Sequence, residues 1–145
     1  MDAPRDFDAY PFKTHDKLRY RDTDRQGHVN NAVFTTFLET GRVEILFKVI
    51  RPLAGPNSSF VIVHLELDFI AEVNWPGTVD IGSRVAAIGN SSVKLQQGLF
   101  QNGVCVGTAE TVMVLVDETT RRPKPFPEAA RAQLMAFKSA GSPPG

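Results

Sequence analysis

Residues 22–31 read Asp-Thr-Asp-Arg-Gln-Gly-His-Val-Asn-Asn, the one stretch where carboxylates, an imidazole, a glycine and a helix start fall together. A helix N-terminus leaves its first backbone N–H groups unpaired, and such groups can hold an oxyanion or a carbonyl oxygen. A carboxylate a few residues upstream can then act as nucleophile or general base beside that pocket. This is where the sequence points to chemistry.

The flanking elements must position that loop. A strand is expected over residues 15–21, with Leu18 and Tyr20 on one face. After the loop, Asn30 or Asn31 is a good N-cap for a helix over residues 32–50, which Pro52 stops. Phe34, Leu38, Gly41, Ile45 and Val49 share one face of this helix, while Val33, Phe37, Val43, Leu46 and Phe47 widen the apolar surface beyond it. So wide a surface implies a helix wrapped by something. Glu39 with Arg42, and Glu44 with Lys48, have spacings suited to intrahelical pairs.

Everything after Ser59 reads as antiparallel sheet. Val61, Val63, Leu65, Leu67 and Phe69 alternate with more polar positions, as in a half-buried strand. Pro76-Gly77 marks a turn, and strands follow over 78–88, 93–100 and 104–116. Gly89-Asn90-Ser91-Ser92 forms one turn between them and Asn102-Gly103 another, the latter favouring type I′. A short helix is expected over 128–137. The fold class is therefore α+β: one domain with an antiparallel five-stranded sheet wrapped around one long central helix. An extended arm over about 1–12 and a disordered tail over about 139–145 flank it. The uncovered sheet face and edges make a homodimer or homotetramer the expectation.

Composition narrows the classes further. At 145 residues the chain fits one domain, and its 16 basic and 16 acidic residues leave no electrostatic footprint for nucleic acid or an anionic membrane. No apolar run approaches the ~20 residues that span a bilayer. The first ten residues lack the apolar core of a signal peptide, so a cytoplasmic location is the default expectation. Cys105 is the only cysteine, which excludes an intrachain disulfide and a cysteine-rich metal site.

The run Arg19-Tyr-Arg-Asp-Thr-Asp-Arg-Gln-Gly-His-Val-Asn-Asn-Ala-Val-Phe, continuing through Phe37-Leu38-Glu39 to Arg42, resembles the 4-hydroxybenzoyl-CoA thioesterase-like family of hotdog-fold acyl-CoA thioesterases. The match covers roughly residues 19–47. The resemblance implies the hotdog fold and hydrolysis of an acyl-CoA, or an acyl group on a carrier protein, to a free acid. In that family the second aspartate of the Asp-x-Asp pair is the catalytic carboxylate, which falls on Asp24. It would attack the thioester carbonyl or activate a water, while the amide of Asn31 at the helix start polarises the carbonyl. Thiolates leave readily, so this chemistry needs a base or nucleophile and an oxyanion pocket, with no metal and no cofactor.

Around that pair, Gly27 supplies a positive φ or a close backbone approach. His28 orients Asp24 or the water, or simply packs the loop. Asp22 and Asn30 read as loop-fixing and capping residues. Phe34 is a candidate acyl contact, and Ser91 and Ser92 match a region near which related enzymes bind CoA. Arg84, Lys94, Arg121, Arg122 and Lys124 are candidates to meet its phosphates. His64 reads as a surface or interface histidine, and Glu39 is a rival carboxylate on the helix.

Two look-alikes fail on spacing. Asp22, Asp24, Gln26 and Gly27 mimic a calcium loop, but its twelfth position is Val33 instead of a bidentate Glu. Hotdog hydratases place a His five residues after their Asp, around Asn-Pro. Here Asp24 and His28 are four apart with no proline between, which disfavours an enoyl-CoA hydratase. A non-catalytic acyl-CoA or carrier-protein binding module is the alternative from outside enzymology.

Overall fold

A computed structural model describes residues 3–138; the expected disorder of 139–145 falls outside the described residues. The elements run β1 (Phe12–Lys17), α1 (Asn31–Arg42), β2 (Ser58–Phe69), β3 (Thr78–Ile88), β4 (Ser92–Gln101), β5 (Val104–Asp117) and α2 (Glu128–Ala136). The strands form one sheet in the order β1-β3-β4-β5-β2, every pair antiparallel. One long helix lies along a five-stranded antiparallel sheet, the architecture the resemblance implies. No helix among the described residues is long and apolar enough to cross a membrane.

Most element limits follow local chemistry. Asn102 and Gly103 both take positive φ, 51° and 79°, and join Gln101 to Val104 in the two-residue turn expected of Asn-Gly. β1, by contrast, begins and ends earlier than the expected strand. Residues Tyr20–Asp22 form a 3-10 turn because the Asp22 side chain accepts from Arg19 N at 2.9 Å while Asp22 N donates to Arg19 O at 2.9 Å. The chain is thereby turned away from the sheet one step before the motif.

The long helix is not uniform. After α1 the backbone widens into π-type turns over Val43–Ile50 and tightens into a 3-10 turn over Arg51–Leu53, where Pro52 has no N–H to continue the ladder. Two apolar clusters share its length. Phe34, Phe37 and Leu38 pack with Leu18, Val29, Val79, Ile81, Leu99 and Val106. Ile45, Leu46 and Ile50 pack with Val85, Val93, Leu95, Leu115 and the α2 residues Ala130 and Leu134. Each large side chain so buried stabilises the fold by roughly 1.5–3 kcal/mol. The first cluster therefore anchors the helix end that carries the motif.

β2 departs from the alternation its sequence suggests. It is an edge strand, and a register irregularity between Ile62 and His64 breaks its pairing with β5. Ile62, Val63, Leu65 and Phe69 are 47%, 59%, 37% and 51% exposed, so apolar side chains show on both faces. An edge this apolar is unusual for an isolated protomer.

The segment ahead of β1 lies on the outer sheet face. Tyr10 is fully buried there, its ring over Gly82 and Gly98, where an added Cβ would meet it at 2.5 and 2.9 Å. Its hydroxyl donates to the Pro4 carbonyl, and Phe100 packs edge-on to the ring. Burial, with Cys105 adding to it, pushes the Tyr10 phenol well above its ordinary value near 10. With the folded value above the unfolded one, this contribution is whole below pH ~10 and is lost as pH rises beyond it. Melting temperatures measured across pH 8–11.5 should therefore fall more steeply above pH ~10 in the wild type than in Tyr10→Phe.

Candidate active site

The loop between β1 and α1 is fastened at its start by Asp22. Asp22 is only 4% exposed, and Arg19 donates to its carboxylate from the backbone at 2.9 Å and from Nη2 at 3.1 Å. Its own carbonyl accepts from Asn30 N at 2.8 Å. All of its capacity is spent on structure, as the reading of Asp22 as a loop-fixing residue expects.

Asp24 is held differently. Its Oδ1 accepts from Gln26 N at 2.8 Å and His28 N at 3.2 Å, and its N–H donates to His28 O at 2.8 Å. Gly27 closes this turn at φ 80°, a conformation that L side chains rarely adopt. One carboxylate oxygen is therefore fixed by two backbone donors, while Oδ2 has no partner among the described residues. A carboxylate so tethered, on an exposed side chain, leaves its second oxygen unengaged among the described residues.

Of the two candidates for the cap, the structure selects Asn30, whose side chain accepts from Ala32 N at 2.9 Å. Asn31 becomes the first helical residue. Its backbone N–H has no acceptor among the described residues, as helix geometry requires of that position. The partial positive charge at this helix end favours an oxyanion there.

These groups share a cleft of about 540 Å³ lined by Asp24, Gln26, His28, Val29, Asn30, Asn31, Phe34 and residues 69–72. Phe34, 2% exposed, forms its inner wall, and Phe69 stands edge-on to it with ring centroids 5.0 Å apart. The second wall, residues 69–72, carries no signal in the sequence, and the segment through residue 75 holds it in place. It is zipped to the loop by Val29 N donating to Val73 O at 2.8 Å and by bridge pairing of His28 with Asn74. From it Glu72 reaches His28, Oε2 to Nε2 at 3.2 Å. No local signal marks Glu72, because 44 residues separate it from its partner.

The remaining sequence candidates lie elsewhere. Ser91 and Ser92 do not line this cleft; they sit in the β3–β4 turn, where Ser91 O accepts from Leu115 N. The ten-residue β4, about 30 Å long, separates that turn from the loop end of the sheet. Glu39 is exposed and also outside the cleft. Arg42, 6% exposed, has its guanidinium pushed below its ordinary value by burial, with the Glu39 charge acting the other way. Arg84 bonds Gln96, Lys94 pairs with Glu110 at 3.1 Å, and Lys124 bonds Ser58, so these three cations are engaged within the fold. His64 pairs with Glu66 on the surface at 3.2 Å.

Comparison with known proteins identifies the family and the fold. The family model of the thioesterase-like superfamily matches residues 18–134. The acyl-CoA thioesterase YbgC of Haemophilus influenzae is 24% identical over 126 residues, spanning 84% of this chain and 93% of that one. Among solved structures, PA5185 of Pseudomonas aeruginosa superposes with TM-score 0.84 at 29% identity, covering 96% of this chain and all of that one. A Thermus thermophilus thioesterase, solved with coenzyme A and Zn, gives TM-score 0.77 at 32% identity over 92% of this chain and 97% of its own. With one long helix along the sheet, a tethered carboxylate beside its N-terminus and a family match across most of its length, this chain belongs to the thioesterase-like superfamily of hotdog-fold proteins.

Proposed function

We propose that the protein is an acyl-CoA thioesterase, hydrolysing a thioester to a free acid and CoA. The observation that carries this reading is the Asp24 carboxylate, tethered through one oxygen and facing the same cleft as the free Asn31 amide. A thioester carbonyl placed there meets a donor at its oxygen and a carboxylate at its carbon. The Asn31 N–H stabilises the charge that develops on the oxygen, in a term worth up to about 10²–10³ in rate for one such donor. Asp24 supplies the attack, directly or through a water, and the thiolate departs without needing a proton. Gly27 lets the turn close, and Phe34 bounds the acyl end of the cleft.

The same reading makes the working unit a homodimer joined through the β2 edges. Pairing two such edges about a two-fold axis covers Ile62, Val63 and Leu65 and sets the protomers antiparallel. Antiparallel pairing brings the partner's β3–β4 turn toward the end of the joined sheet that carries the Asp24 cleft, and this supports Ser91 and Ser92 as CoA contacts across the dimer. The acyl-CoA named for the Haemophilus relative, and the CoA bound to the Thermus one, support this choice of substrate.

One experiment tests the proposal. A panel of acyl-CoAs is incubated with the purified dimer and a thiol reagent, and the products are followed by mass. Free thiol and free acid are the expected products. Hydration at a double bond with the thioester intact would make it a hydratase, and thermal stabilisation without turnover would make it a binding module.

A further inference from the structure

Building on the thioesterase reading, we propose that Glu72 is a positioning residue that holds His28 as the base for hydrolysis of an acyl group carried on Asp24. Glu72 stands on backbone fixed from two sides. Ile70 N and Ala71 N donate to Val106 O at 3.0 and 3.1 Å, and Val73 O accepts from Val29 N at 2.8 Å. From that footing its Oε2 lies 3.2 Å from His28 Nε2, and both residues line the cleft that holds Asp24. His28 is in turn fixed through its backbone, its N–H on Asp24 Oδ1 and its carbonyl on Asp24 N.

The hydrogen bond sets the ring's chemistry. An imidazole that donates Nε2–H to a carboxylate carries its lone pair on Nδ1. Among the described residues Nδ1 has no partner, so it is the ring's free acceptor. A carboxylate behind an imidazole also stabilises the cation that forms when the ring takes a proton.

The two halves of the reaction then divide the work. In the first, Asp24 Oδ2 bonds to the thioester carbon, the C–S bond breaks, and CoA leaves as the thiolate with the electron pair. The acyl group remains on Asp24 as a mixed anhydride. In the second, a water oxygen bonds to the acyl carbon and gives one proton to His28 Nδ1. The bond from that carbon to Asp24 breaks, the carboxylate is restored, the acid departs, and Nδ1 returns its proton to solvent. Only the second half needs a base, so only it depends on Glu72.

This separates positioning from simple support of the cleft. If Glu72 serves the second half, Glu72→Gln slows deacylation alone. Its kcat should fall about tenfold, part of the ~10²–10⁴ attributable to a general base, and KM should fall by the same factor, leaving kcat/KM unchanged. Stopped-flow release of thiol should show a burst of one CoA per active site, with the acyl group found on Asp24 by mass. Glutamine matches glutamate in shape, and the substituted Glu72 side chain is 67% exposed, so the variant keeps its fold. His28→Ala should give the same burst with a larger drop in kcat. Wild-type kinetics in Glu72→Gln, or a loss of kcat/KM without a burst, overturns the inference. A wild type that releases no thiol from any acyl-CoA overturns the thioesterase reading and this inference with it. An active wild type whose Glu72→Gln variant shows no burst overturns this inference alone.

Discussion

Asp24→Asn should lose thioester hydrolysis by about 10²–10⁴ in kcat while KM stays near its wild-type value. The substitution is informative because of how the side chain is held. Asn keeps an oxygen where Oδ1 accepts from the amides of Gln26 and His28, so the turn through Gly27 survives. What disappears is the anionic oxygen with no partner, the one carboxylate oxygen of the loop left to attack a carbonyl. Asp24→Ala removes the turn's hydrogen bonds as well. It should therefore add about 1 kcal/mol of local destabilisation to the same kinetic loss. Comparing the two separates chemistry from loop geometry. The measurement is steady-state hydrolysis of one acyl-CoA, with melting temperature and oligomeric state checked in parallel. Wild-type kcat in folded Asp24→Asn would falsify the assignment.

Gly41→Ala should lower the melting temperature by about 4–8 °C, although alanine is the better helix former. At Gly41 α1 lies tight against the sheet. A Cβ there would lie 2.6 Å from Gln97 Nε2, 2.9 Å from Ile81 Cγ2 and 3.1 Å from Ser83 Oγ. Gln97 cannot swing aside cheaply, because it is fully buried and its Nε2 donates to Leu38 O and Ser83 Oγ, each at 3.1 Å. The helix must lift from the sheet or those bonds must break. Overpacking costs about 1–3 kcal/mol and each lost hydrogen bond about 1 kcal/mol, against ~1 kcal/mol gained in helix propensity. The net is about 2 kcal/mol of destabilisation, at roughly 2–4 °C for each kcal/mol. Since α1 also carries Asn31 and Phe34, activity should fall along with stability. A melting temperature equal to or above wild type would show that the sheet yields at this point.

Much of the fold was legible because its signals are local. The broad apolar surface of residues 32–50 announced a wrapped helix, and Asn102-Gly103 announced its turn, since each depends only on neighbours in the chain. The same locality explains the errors. Tyr20 alternates like a strand residue, yet the Asp22 side chain captures the Arg19 amide and turns the chain there. β2 alternates like a half-buried strand, yet its edge position and its irregularity at Ile62 expose both faces.

The candidate site divides along the same line. By itself the sequence determined the loop's local conformation, because its shaping bonds join near neighbours: Asp22 clasped to Arg19, a turn closed by Gly27, a cap from Asn30, a carboxylate tethered to the amides of Gln26 and His28. Tertiary structure alone decided what faces that loop. Glu72 and Phe69 are brought to it by pairing of residues 70–75 with both Val29 and Val106. Ser91 and Ser92, candidates through the family resemblance, lie at the other end of the sheet because of the length of β4. Local hydrogen bonding fixes conformation within a few residues and can be read from their types. Which distant segment packs against them depends on strand order and register, which are set by burial over the whole chain.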